Sequence, residues 1–152
     1  MSQVTAYLLD TNVVLHATRQ ASAFSAAVDA QFQLRQSPFR PAISEVTVGE
    51  LWAFAQSWGD RRQTLLKQVI SQLLVLPISR PEIHQRWAQL YSHAKAHGMA
   101  IQHDHNDVWI AATAHLAGLR LLSSDRSGFL PLRGTTWVDV VVLDPKTGII
   151  VP

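Results

Sequence analysis

The sequence of 152 residues contains no cysteine. Disulfide bonds, zinc–thiolate sites and thiol nucleophiles are therefore excluded together, and the composition is compatible with a reducing cytosol. Charged residues make up only 16% of the chain and hydrophobic residues 47%, a balance that allows a sizeable core and excludes global disorder. We expect one compact domain over residues 1–152, with the tail 145–152 as a candidate peripheral segment.

Long apolar runs are also absent. No stretch approaches the roughly 18 consecutive apolar residues of a membrane span, and the N-terminal residues MSQVTAYLLDTN lack a basic segment leading into an apolar run. We therefore expect a soluble, cytoplasmic protein with no membrane partner. A Gly-rich phosphate loop and a dinucleotide fingerprint are missing too, so neither an NTPase nor a dehydrogenase is supported.

The charge balance is only weakly basic, with 13 Lys and Arg against 11 Asp and Glu and a net charge of +2. This surplus is too small to predict nucleic-acid binding by itself. If several carboxylates gather in one pocket, however, the remaining surface is more basic than the total indicates. An ordinary solvated surface explains any single Lys or Arg side chain equally well. The candidates for phosphate contacts are Arg19, Arg35, Arg40, Arg61, Arg62, Lys67 and Arg126.

Apolar runs and helical patterns alternate along the chain. Residues 4–10, VTAYLLD, form a near-continuous apolar run that is typical of a strand buried on both faces of a parallel sheet. We predict further strands within 37–44, 75–78, 120–125 and 137–144, with a hairpin near Thr147. Helices are predicted at 13–19, 21–36, 45–58, 62–74, 81–97 and 107–117, with Ser44 and Asn106 as N-caps. The pattern predicts an α/β layered domain with a mainly parallel sheet of about five strands.

Acidic residues stand at the ends of these predicted elements. Asp10 closes the first strand and Asp125 closes the strand at 120–125, which places both at the edge of the sheet where functional crevices form. Asp107 lies in the first turn of its helix, and Glu50 lies among apolar residues in the helix that follows Ser44. Only tertiary folding can bring the four acids together, so the sequence allows the cluster without demonstrating it.

Each acid also has a purely structural explanation. Asp10 can cap the following helix, Asp107 can stabilise a helix dipole, Glu50 can be a solvated helix residue and Asp125 a turn residue. Taken singly, these explanations are at least as good as a functional one. Taken together, four acids at the ends of buried or apolar elements favour a common site.

The motifs that carry these acids resemble those of a known family. LLDTNVVL, VGEL, NDVWIAATA and LLSSDRSGF follow one another between Leu8 and Phe129, and this order is similar to that of the PIN-domain nucleases. Within them, the single-domain VapC-type toxins of bacterial toxin–antitoxin pairs are the most similar. NDVWIAATA is the most specific segment. The resemblance implies a three-layer α/β/α PIN-like domain.

The resemblance also implies roles for individual residues. The family's acidic positions match Asp10, Glu50, Asp107 and Asp125. Ser123 stands where a Ser or Thr commonly supports the last acid, although Ser123-Ser124-Asp125 departs from the frequent Thr-x-Asp while keeping a hydroxyl. Asn12 is expected to orient Asp10. Asn106 is expected to support the start of the helix at 107–117.

Clustered carboxylates repel one another unless a cation neutralises them, and Mg²⁺ or Mn²⁺ prefers such oxygen ligands. We hypothesise that Asp10 and Asp107 are the principal ligands. Glu50 would bind the ion or position a water, and Asp125 would bind the ion directly or through another ligand. A bound ion activates water for in-line attack on a phosphodiester. The resemblance implies RNA, single-stranded or looped, as substrate, together with a homodimer and an antitoxin partner.

Other interpretations remain open. His93 and His97 have the spacing of zinc ligands on a helix but lack the Glu that follows the first His in metalloproteases. Haloacid-dehalogenase phosphatases need a second Asp where Asn12 stands. A non-catalytic PIN-like module that binds RNA or protein, and a PIN nuclease that processes RNA without being a toxin, are the alternatives. The aromatic residues are candidates for a partner surface or for the core: Trp52, Phe54, Trp58, Trp87 and Tyr91.

Overall fold

The structure, a computed structural model, describes residues 6–19, 21–35, 40–96, 105–125, 129 and 138–152. These residues form five strands and six helices. Their order is β1 (Tyr7–Leu9), α1 (Thr11–Ala17), α2 (Ala23–Phe32), β2 (Ala42–Ser44), α3 (Glu45–Ala55), α4 (Asp60–Ser71), β3 (Leu74–Leu76), α5 (Pro81–Ala96), α6 (His105–Ala117), β4 (Arg120–Ser123) and β5 (Val140–Val142). None of the described helices has the length and apolar character needed to cross a membrane.

The described strands form one sheet in the order β3-β2-β1-β4-β5, and all of their pairings are parallel. Alternate strand residues point to opposite faces, so Leu8 and Leu9 enter different cores. Leu8 packs with residues of α5 and α6, whereas Leu9 packs with residues of α1, α2, α3 and α4. The predicted three-layer α/β/α fold, with a mainly parallel sheet, is confirmed.

The winding of the chain reverses at the centre of the sheet. From β1 the chain moves outward to β2 and β3, then crosses to β4 on the other side of β1 and continues to β5. Leu9 pairs with Leu122, and the backbone N–H of Asp10 donates to the carbonyl of Leu122 over 2.9 Å. In open α/β sheets this reversal point opens a crevice at the carboxyl ends of the two strands.

The element boundaries differ from the prediction by a few residues, at helix ends as well as at helix starts. Ser44 caps α3 as predicted, since its Oγ accepts from the N–H of Val46 over 3.3 Å. The predicted capping role of Asn106 is wrong, because α6 already begins at His105 and places Asn106 inside the first turn. Strand β4 ends at Ser123, two residues earlier than predicted. Residues 4, 5, 36–39, 97 and 137 of the predicted elements lie outside the described residues.

The C-terminal residues turn back on themselves and pack against α2. The N–H of Asp144 donates to Ile149 and the N–H of Gly148 donates to Asp144, which forms the turn predicted near Thr147. The side-chain amide of Gln31 donates to the Gly148 carbonyl over 2.7 Å and accepts from the N–H of Ile150 over 3.2 Å. These two bonds fasten the end of the chain to α2.

Replacing Gly148 by alanine should destabilise the protein by about 1–3 kcal/mol. Gly148 has a φ of +72°, and an added Cβ would lie 2.7 Å from the carbonyl oxygen of Phe24. Gly49, within α3, is the matched control because an added Cβ meets nothing within 4 Å. Gly49→Ala should therefore stabilise by about 0.5–1 kcal/mol. Urea unfolding measures both, and a Gly148→Ala variant as stable as the wild type would contradict the fixed turn.

Candidate active site

Asp10 occupies the reversal point of the sheet. It follows β1 directly and caps α1, because one carboxylate oxygen accepts from the N–H of Thr11 over 2.8 Å. The other oxygen accepts from the hydroxyl of Ser123, at the end of β4, over 2.6 Å. Only 4% of Asp10 is exposed. Asp10 therefore caps α1, and the same contacts hold its carboxyl group in the crevice.

The environment of Asp10 makes its negative charge costly. The pKa of Asp10 is raised from its usual 3.8 to about 6. Burial is the largest cause and the charges of Glu50 and Asp125 add to it, whereas the hydrogen bonds from Ser123 and Thr11 lower the pKa. The carboxyl groups of Glu50 and Asp125 thus lie within electrostatic reach of Asp10. Two of the other three acids predicted from the sequence therefore act on Asp10 in the folded chain.

Glu50 reaches the site from α3. Its carboxylate is half-buried and accepts from the hydroxyl of Thr11 over 2.7 Å. The Thr11 hydroxyl also lies 3.3 Å from that of Thr47, which is fully buried one helical turn before Glu50. A hydroxyl has one proton to donate, so the shorter bond to Glu50 takes it and Thr47 serves as the donor to Thr11. The first turn of α1 thereby holds Glu50 beside Asp10.

The segment after β4 is held by two polar side chains. The buried Ser123 hydroxyl donates to Asp10 and accepts from the N–H of Asp125 over 3.0 Å. The side-chain oxygen of Asn12 accepts from the N–H of Ser124 over 3.2 Å. We predicted that Asn12 orients Asp10. Its contact with Ser124 holds the backbone that leads to Asp125.

Asp107 enters from the first turn of α6 and is 7% exposed. The helix is buried along most of its length, with Ile110, Ala111 and Ala112 fully inaccessible. Its small side chains allow α6 to pack closely against β2, β4 and α3. Asp107 therefore stands at the first turn of a helix that is firmly held in the core. Asn106, which precedes it, is exposed.

The donor set suits a hard cation such as Mg²⁺ or Mn²⁺, because it consists of carboxylate and hydroxyl oxygens. Burial raises the pKa of the Asp10 carboxyl group, and a bound cation would stabilise its ionised form. Within the described residues, no three His, Asp or Glu side chains stand close enough together to enclose an ion. Mg²⁺ commonly binds one or two carboxylates and completes its shell with waters and substrate phosphate, so the residues fit this open kind of site.

Sequence reasoning did not single out Thr11 and Thr47. Their hydroxyls are buried, and they lie between Asp10 and Glu50. One signal was available for Thr47, which lies three residues before Glu50 and therefore on the same face of the helix. The contact of Thr11 with Glu50 spans 39 residues and depends on how α1 packs against α3.

The aromatic residues of α5 and α6 pack on one another. Trp87 stacks on Tyr91, with ring centroids 5.0 Å apart, and on Trp109 at 5.2 Å. His105 meets both Trp87 and Tyr91 edge-on. These rings join the two helices. The predicted zinc alternative involves His97, which lies outside the described residues.

The chain matches a known family. A profile of the PIN domain matches residues 7–130, and the chain belongs to the PIN domain family. This confirms the resemblance inferred from the four motifs. No curated protein sequence matches this chain.

Several solved structures are similar over nearly the whole chain. A VapBC complex from Rickettsia felis bound to a DNA fragment from its promoter is 20% identical, with a TM-score of 0.75, covering 92% of this chain and 100% of that one. A member of the VapBC family of toxin–antitoxin systems from Mycobacterium tuberculosis is 25% identical, with a TM-score of 0.66 and coverage of 91% and 99%. A toxin–antitoxin complex from Klebsiella pneumoniae is 25% identical, with a TM-score of 0.64 and coverage of 90% and 97%.

Asp10→Asn should stabilise the metal-free protein above pH 6 by about 1–3 kcal/mol. The folded state holds the proton of Asp10 up to about pH 6, whereas the unfolded state releases it near pH 3.8. The contribution of Asp10 to the free energy of unfolding is therefore fully present below about pH 4. It falls between pH 4 and 6 and stays low at higher pH. Asparagine carries no charge and avoids this loss.

The measurement is urea unfolding in EDTA at pH 4 and pH 8. The two proteins should be similar at pH 4, and the variant should be more stable at pH 8. An equal difference at both pH values would contradict the raised pKa.

Proposed function

We propose that this PIN-domain protein is a metal-dependent endoribonuclease, and that it acts as the toxin of a toxin–antitoxin system in the cytoplasm. The observation that carries the proposal is the buried carboxyl group of Asp10, with Glu50 and Asp125 in electrostatic reach at the reversal point of the sheet. Acids gathered at such a crevice, without Cys ligands, suit cleavage of a phosphodiester assisted by Mg²⁺ or Mn²⁺.

The chain's own residues prepare the site in stages. Ser123 and Thr11 each bind one oxygen of Asp10 and so fix its orientation. We assign Asp10 and Asp107 as the principal metal ligands. When bound, the ion would neutralise the carboxylates, lower the pKa of a water and stabilise the leaving oxygen.

The other two acids have supporting assignments. The hydroxyl of Thr11 holds Glu50 in place for binding the ion or orienting the attacking water. Asp125 would bind the ion directly or through another ligand, since the bond from its N–H to Ser123 couples its position to that of Asp10.

The proposed partners are RNA, an antitoxin and a second copy of the chain. The similar structures are toxin–antitoxin complexes, which supports the antitoxin. A cleft of about 560 Å³ with a largely apolar lining lies among α1, α2 and α4 and includes Leu9 and Val13, on either side of Asp10 in the sequence. We assign this cleft to an apolar segment of the antitoxin. For the homodimer, the support is exposed apolar surface, with Phe54 54% and Leu74 50% accessible.

Cleavage of total RNA should require Mg²⁺ or Mn²⁺, stop in EDTA, and fall by about 100-fold or more in Asp10→Asn. The matched control is Asp139→Asn, which removes an exposed carboxylate that pairs with Arg120 on the surface and should leave cleavage unchanged. Gel analysis of the products measures activity.

Thermal unfolding supplies a readout that does not depend on RNA. Mg²⁺ should raise the Tm of the wild type and of Asp139→Asn by stabilising the folded state, and should leave Asp10→Asn unchanged. If Mg²⁺ shifts neither Tm nor cleavage in the wild type, the chain is a non-catalytic module and the proposal fails.

Co-expression with the protein encoded immediately beside the toxin gene should yield a complex. Without that protein, the toxin should have twice the mass of one chain by light scattering. Leu65→Glu places a charge in the apolar cleft and should release the antitoxin while keeping the dimer mass. Ile149→Glu, an exposed residue outside that cleft, is the control and should keep both. A monomeric mass at micromolar concentration would contradict the dimer. Retention of the antitoxin by Leu65→Glu would contradict its place in the cleft.

A further inference from the structure

Three arginines line a cleft between the end of α1 and the first half of α4. The cleft has a volume of about 890 Å³, and its polar lining is formed by Thr18, Arg19, Arg61, Arg62, Thr64 and Gln68. Among the described residues, no carboxylate lines this cleft and none of the three arginines forms an ion pair. We call it the arginine cleft. Its positive charge is not neutralised by the described part of the chain.

Arg62 is held in a fixed position within the arginine cleft. Its guanidinium carbon lies 3.6 Å from the ring centroid of Trp58, and one of its terminal nitrogens donates to the hydroxyl of Thr18 over 3.3 Å. Thr18 is itself 3% exposed and bonded to the carbonyl of Leu15 over 2.7 Å. The flexible side chain is thus ordered before any ligand arrives, which reduces the entropy lost on binding.

One donor of Arg62 has no partner in the described chain. Its Nε is buried and without a hydrogen bond among the described residues. Because this nitrogen is shielded from solvent, the terminal nitrogens of the guanidinium are the donors that a ligand can reach. The planar guanidinium presents paired N–H donors that match two oxygens of a phosphate group. The exposed Arg19 and Arg61 add charge around the same space.

The arginine cleft lies on the helix that starts at the acidic site. From Thr11 to Thr18 the rise of α1 is about 10 Å, which equals the rise of about three nucleotides in a stacked strand. The carboxylates around Asp10 repel a polyanion, so the affinity for RNA must come from cationic groups nearby. We propose that the arginine cleft binds a backbone phosphate of the RNA a few nucleotides from the cleaved bond, an inference that rests on the proposed nuclease function.

The test uses the Asp10→Asn variant in EDTA, so that binding is measured without cleavage. Fluorescence anisotropy follows a fluorescein-labelled oligouridylate at several salt concentrations. Adding Arg61→Ala or Arg62→Gln should weaken binding by about tenfold each, because each removes a charge-assisted bond to phosphate. Each should also reduce the salt slope by about 0.7 for every phosphate that the protein no longer neutralises.

Lys67→Ala is the matched control, because it removes the same charge from the same helix but does not line the arginine cleft. It should change the affinity by less than about twofold. Arg62→Gln also removes the cation–π interaction with Trp58, so thermal unfolding must accompany it. Arg19→Ala and Arg61→Ala alter exposed side chains and keep the test independent of folding.

Two outcomes would overturn the inference. In the first, Arg19→Ala and Arg61→Ala weaken RNA binding no more than Lys67→Ala does. In the second, a polyglutamate peptide binds in an arginine-dependent way while the oligouridylate does not, which would assign the cleft to an acidic protein segment. If oligouridylate binding depends on the arginines but the wild type shows no metal-dependent cleavage, the phosphate cleft stands and the nuclease proposal fails.

Discussion

The hydrogen bond between Ser123 and Asp10 joins the two halves of the molecule at the carboxyl edge of the sheet. It spans 2.6 Å in a buried environment and links residues that are 113 positions apart. Both residues lie at the ends of central strands that run side by side, β1 and β4, so the bond depends on the register of the sheet. A one-residue slip of either strand would turn the hydroxyl to the other face and leave a buried carboxyl group with one fewer donor. The rest of the site is arranged around this contact.

In the proposed site, Asp10 would serve both stability and chemistry, which have opposite requirements. As an N-cap, Asp10 satisfies an N–H at the start of α1. As a buried acid near two others, it also carries a charge that its surroundings disfavour. A chain selected for stability alone would place a neutral cap there. The retained carboxyl group is consistent with a site that becomes favourable when a cation is present.

Much of the fold followed from the sequence because buried parallel strands and amphipathic helices leave clear local patterns. The strand that ends at Asp10 and the N-cap at Ser44 are local features, and both were predicted correctly. The start of α6 was not, since the NDV sequence offers a plausible cap at Asn106 while the helix already begins at His105. The contact of Asn12 with Ser124 depends on packing between distant elements, which no local pattern encodes.

The central position of β1 has a consequence for synthesis of the protein. This strand is made first, yet its neighbour β4 is made only after residue 119. A nascent chain on the ribosome therefore carries β1 with one side unpaired, and Asp10 and Asp125 stay apart until β4 has emerged. Pairings of such large sequence separation also form late and slowly in folding. The acidic site is thus assembled only after β4 has been made.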